Sequence, residues 1–128
     1  MPGSFWADVR TDEVDGRWIP AEGEAAGWVL RNLIERYGLS PKDILVLAPF
    51  RVVAKRLEDL TKKKIPGGKQ ITFGTVQVSQ GKQAPVVVLV LAGTTQGARA
   101  WAAERPNLLN VAVSRAEHRL YVVGNREN

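Results

Sequence analysis

The chain has 128 residues, enough for one domain with a core of its own and too few for two of ordinary size. It contains no cysteine and a single histidine, His118, which excludes a disulfide framework, thiolate chemistry and a histidine-cluster metal site. A formal net charge of +5 favours an acidic partner, nucleic acid or nucleotide phosphate, ahead of a membrane surface.

The N-terminus lacks the basic, apolar and small-residue blocks of a signal peptide, and no apolar run reaches the ~20 residues a bilayer span needs. A soluble, cytoplasmic domain is expected. Ser4 to Arg10 alternates around Phe5, Ala7 and Val9, as a short edge strand does. Thr11 to Glu22 reads as a loop anchored by Trp18 and Ile19. From Ala21 the period turns helical through Ala25, Trp28, Val29, Leu33 and Tyr37, with Gly38 as the stop and Trp28 on the apolar face, packed in the core.

Ile44 to Ala48 runs without a polar break, as a strand covered on both faces does, and Pro49 ends it. Val52, Val53, Arg56, Leu57 and Leu60 carry a second helical period that closes on Lys62, Lys63 and Lys64. That lysine run, with Lys69, fits either a phosphate backbone or a solvated helix end. Ile71 to Val76 and Val86 to Ala92 read as further strands, separated by the polar stretch Gln77 to Pro85. A loop at Gly93 to Gln96, a short helix over Ala98 to Glu104, a helix opened by Pro106 and a last strand at Leu120 to Val123 complete the chain. Strands alternating with helices predict a layered α/β domain around a mostly parallel central sheet, whose ligands usually bind at the carboxyl ends of the strands.

Pro106 to Arg119 carries a charge where a packed helix should be apolar. Leu108, Leu109, Ala112, Val113 and Ala116 form one broad arc with Val111 at its far side, and Arg115 falls between Leu108 and Val111. An unpaired buried guanidinium is very costly, so Arg115 must either snorkel past the packed face or hold an anion. Neither Gly68-Lys69-Gln70 nor Gly81-Lys82-Gln83 completes a Walker A loop, and no apolar strand ends in an Asp-Glu pair that could hold magnesium. A self-contained ATPase is not expected. No metal site is predicted, and no nucleophile elbow stands out.

Three stretches together resemble the second RecA-like domain of superfamily 1 DNA/RNA helicases, in the branch that includes the RNA-surveillance helicases. ILVLAPFRVVAKRL, Ile44 to Leu57, resembles motif IV; GTVQVSQGKQAPVVV, Gly74 to Val88, resembles motif V; NLLNVAVSRAEHRLYVVGN, Asn107 to Asn125, resembles motif VI and the strand after it. The resemblance implies a three-layer RecA-like fold of the P-loop NTPase type, here lacking its Walker A loop, spanning residues 1–128 as one helicase domain of a larger chain. It implies ATP with Mg2+ as cofactor, bound mainly by a first RecA-like domain carrying Walker A and B motifs, and single-stranded DNA or RNA as partner.

By the same resemblance Arg115 occupies the position of the arginine finger, whose planar, permanently charged fork can contact two phosphate oxygens. Arg51, Gln80, Gly81 and Gln83 fall on nucleotide-contacting positions, and Thr75, Gln77 and Lys82 on the nucleic-acid side. Departures from the pattern are Gln77 for His or Asp, Ser79 for an aromatic, Gln83 for Glu and Pro85 for Asp. Gln83 keeps hydrogen-bonding capacity but not the carboxylate charge. Those departures leave open a second reading, a non-catalytic RecA-like module that binds nucleic acid or protein.

Overall fold

The structure, a computed structural model, describes residues 5–8, 20–65, 67–75, 83–91 and 105–124. Among these, the strands β1 (Phe5–Asp8), β2 (Ile44–Ala48), β3 (Thr72–Thr75), β4 (Ala84–Val90) and β5 (Ala116–Gly124) form one sheet in the order β1-β5-β4-β2-β3. Every pairing is parallel. The helices α1 (Pro20–Arg31), α2 (Arg51–Lys64) and α3 (Arg105–Arg115) cover it.

Continuous apolar runs become central strands because both of their faces are covered. In β4 the two-residue period splits the run. Val86, Val88 and Val90 join Ala26, Val29, Leu30, Leu33, Val53 and Leu57 of α1 and α2 and the turn after α1, while Val87 and Leu89 join Ala112 of α3. The result is three layers, α1 and α2 on one face of the sheet and α3 on the other. β1 and β3 are the edges, β1 as its short alternating pattern predicts.

Helix α1 is regular only to Arg31 and then widens into a π-helical turn, Asn32–Arg36. Gly38, at φ 69°, supplies the left-handed stop, letting the Leu39 amide reach the Leu33 carbonyl at 2.9 Å. Trp28 does not pack in the core: it is 62% exposed, because Ala26, Val29 and Leu30 already fill the sheet-facing stripe. After α2 a tight turn returns the chain to the sheet. Gly67 has φ 78° with the Pro41 ring against it, and a Cβ on Gly68 would stand 2.6 Å from the Thr61 carbonyl oxygen, so bare backbone is needed at both positions.

The last helix is shorter than its apolar arc suggests. It stops at Arg115, and Ala116 is already a strand residue paired with Ala84. Val113 is 57% exposed and so stands off the packed stripe that Ala112 leads. The amino end of β4 leaves backbone groups that a neighbouring strand can satisfy, and that pairing outweighs the helical propensity of Ala116 and Glu117. The predicted short helix over Ala98 to Glu104, the loop with Trp18 and Ile19, and Val76 and Ala92 lie outside the described residues.

Tyr121, on β5, is fully buried, and burial is the main cause that raises its phenol above the ordinary value of 10.0; Arg119 opposes the rise and Tyr37 adds to it. A folded-state pKa above the unfolded one means stability present below pH 10 and lost as pH rises through the higher value. Alkaline unfolding monitored by circular dichroism should therefore steepen above that pH, and Tyr121→Phe should flatten the dependence.

Candidate nucleotide and nucleic-acid edges

Helix α3 runs back against the strand direction, so its last residue arrives at the amino end of the sheet. That residue is Arg115. It is half-buried, and its Nη1 donates to the Ser114 Oγ at 2.9 Å, while the Ser114 hydroxyl donates to the Val111 carbonyl at 2.7 Å. The guanidinium is thus carried to the exposed end of the helix by a chain of two hydrogen bonds. A cation in the last helical turn is also favoured by the carbonyls that end there.

Gln83 is exposed and directly precedes β4. Because Ala84 pairs with Ala116, Gln83 and Arg115 flank the same rung of the sheet and share its amino edge. The register then shifts: Ala84 to Val86 on β4 is matched by Ala116 to Arg119 on β5, so β5 carries one extra residue. Such a bulge re-aims neighbouring side chains and breaks the ladder next to the Arg115 end of the strand.

The other predicted residues stand elsewhere. Thr75 closes β3 level with Ala48, and Arg51, exposed, opens α2 just beyond β2, so both lie at the carboxyl edge. The six steps from Ala84 to Val90 put ~20 Å between the two edges, at about 3.3 Å per residue. Arg51 and Arg115 cannot meet one phosphate in this domain. Arg51 and Thr75 therefore stand at the carboxyl ends of the strands, and Arg115 and Gln83 at the amino ends. Gln77, Gln80, Gly81 and Lys82 lie outside the described residues, bounded by Thr75 and Gln83 at opposite edges.

Ser114 was not marked by its sequence pattern as a functional residue. Its signal is the serine three residues after Val111 in a helix, a spacing at which a hydroxyl bonds back to the earlier carbonyl and is then available to accept. Ser114→Ala leaves Arg115 without this tether, and any activity that uses Arg115 should fall about two- to tenfold, the value of one ordinary hydrogen bond. Steady-state rates beside unchanged circular dichroism check this. Among the described residues no trio of His, Cys, Asp or Glu could hold a metal ion, so the donors at the amino edge are a guanidinium and an amide, suited to anions and hydroxyls.

An all-parallel sheet layered between helices is the architecture of a RecA-like α/β domain. The chain belongs to the AAA domain family, which it matches over residues 7–127. Several of its relatives are named as helicases. It is 24% identical over 127 residues to the DNA polymerase alpha-associated DNA helicase A of Schizosaccharomyces pombe, an alignment covering 95% of this chain and 19% of that protein. It is 21% identical over 131 residues to the regulator of nonsense transcripts 1 homolog of Neurospora crassa, covering 97% of this chain and 12% of the relative. With the human DNA replication ATP-dependent helicase/nuclease DNA2 it shares 29% identity over 96 residues, 74% of this chain and 9% of the other. The chain is a helicase-type RecA-like domain of superfamily 1, and it spans less than a fifth of the length of these relatives.

Proposed function

We propose that this chain acts as the second RecA-like domain of an ATP-dependent nucleic-acid helicase, with Arg115 as the finger that reaches a triphosphate held on a first RecA-like domain. The observation that carries the reading is the placement of Arg115: tethered through Ser114, half-buried rather than sealed, and beside Gln83 at one edge of the sheet. A permanently charged fork there can neutralise charge that develops during phosphoryl transfer. Gln83 offers an amide to a ribose hydroxyl, and the motif resemblance assigns Gln80 and Gly81, outside the described residues, to the same nucleotide. Walker A and B motifs on the first domain would bind ATP and Mg2+.

The opposite edge takes the nucleic acid. Thr75 at the end of β3 and Arg51 at the start of α2 are the described residues there; Gln77 and Lys82, which the motif resemblance also assigns to nucleic acid, lie outside the described residues. Since Arg51 stands ~20 Å from the Arg115 edge, its phosphate belongs to the strand being tracked rather than to ATP. ATP binding and hydrolysis would close and open the cleft between the two domains, so that the nucleic-acid edge steps along single-stranded DNA or RNA.

The test joins the chain to a first RecA-like domain carrying Walker A and B motifs and measures ATPase with and without single-stranded nucleic acid. Stimulated turnover that requires Arg115 supports the reading. Turnover indifferent to Arg115 removes the finger, and binding of nucleic acid without any turnover would favour the non-catalytic module.

A further inference from the structure

Between α1 and the second half of α2 lies a cavity of about 520 Å³, within the size range of small-molecule sites. Gly23 and Gly27 leave one wall as bare helix backbone, and Leu57 and Leu60 form the apolar wall opposite. Trp28 borders it with 62% of its surface exposed. An indole left so open beside an unfilled apolar slot forfeits a large burial term, which a flat partner would recover.

The polar groups at this cavity have a definite sign. Arg31 follows Trp28 by three residues, so the two share a helix face, and its guanidinium crosses the groove to donate to the Lys64 carbonyl at 3.2 Å. Lys64 lines the same groove. Arg31 and Lys64 are thus the two cationic residues lining the groove, with Glu24 the one carboxylate among the lining residues. The Thr61 hydroxyl is already spent on the Leu57 carbonyl at 2.7 Å.

An aromatic face, a smooth slot and adjoining cations are what a base bearing a phosphate requires: the ring stacks, and the cations take the charge. We propose that the α1–α2 groove binds a nucleotide unit, its base against Trp28 and its phosphate at Arg31 and Lys64. The site involves neither Arg115 nor Gln83 and stands whether or not the finger role does. The nucleotide can be free or part of a single strand, since both present the same base and phosphate.

Adenosine monophosphate and a uridine hexanucleotide, titrated separately into the chain and followed by NMR at the Trp28 indole N–H and, in the variants, at the backbone amides of Arg31 and Lys64, which line the same groove, test this. Saturable shifts there support the proposal; the monophosphate alone sufficing identifies a free nucleotide, and a response only to the hexamer identifies a strand. Trp28→Ala should weaken binding roughly fivefold or more, the loss expected for one stacked base. Gly27→Leu gives a filling counterpart: a Cβ at Gly27 meets nothing within 4 Å, and leucine favours the helix, so the fold should hold while the slot closes and binding is lost. No response of the Trp28 signal to either ligand overturns the proposal. So does binding that survives both variants, or binding that Arg115→Ala abolishes while Gly27→Leu leaves it intact.

Discussion

Arg115→Ala, in the chain joined to a P-loop-bearing first domain, should lower ATP turnover by about 10³- to 10⁵-fold, the range spanned by arginine fingers in phosphoryl transfer. The loss should fall on kcat, because a charge that meets the γ-phosphate most strongly in the transition state contributes least to ground-state binding. Arg115→Lys should recover little: a single ammonium lacks the fork that spans two oxygens, and it cannot be held by Ser114 in the same geometry. Folding should be largely retained, since Arg115 ends its helix half-exposed. Turnover within a few-fold of the parent, measured with circular dichroism unchanged, would remove Arg115 from the chemistry.

The second large effect is on stability. Leu89 is fully buried at the centre of β4 in the cluster that includes Ala112 of α3. Leu89→Ala should cost about 2–5 kcal/mol, combining lost transfer free energy with the cavity that a close-packed layer cannot collapse. Because α3 rests on that layer, the damage extends to Arg115. Urea unfolding should show the midpoint drop, and hydrogen exchange should rise in α3 amides relative to those of α2, which packs on the other face. A midpoint shift below ~1 kcal/mol would mean that the site relaxes far more than a packed interior allows.

Several features follow from local residue order. Two unbroken apolar runs, Ile44 to Ala48 and Val86 to Val90, could only become strands covered on both faces, and they are the buried centre of the sheet. Gly38 had to stop a helix, because the left-handed turn there suits few other residues. Three motifs in order marked the helicase-type RecA-like fold, and the family match agrees with them. Their residue types also named Arg115 as an arginine that needs either solvent or an anion.

Where those residues stand relative to one another was not readable along the chain. Arg115 and Gln83 share the amino edge only because Ala84 pairs with Ala116, and Arg51 and Thr75 share the carboxyl edge only because Ala48 pairs with Thr75. Strand pairing is a long-range choice that no helical wheel contains. The same holds for Trp28, whose spacing fits an apolar face but whose ring stays outside because three neighbours fill the sheet-facing stripe first. Local periodicity therefore determined which segments are strands and helices and which residue types are chemically unusual, since propensity and burial act over a few residues. Only the packed sheet decided which edge each cation serves and which large side chain is left exposed, because parallel pairing and layer volume are set by segments far apart in the chain.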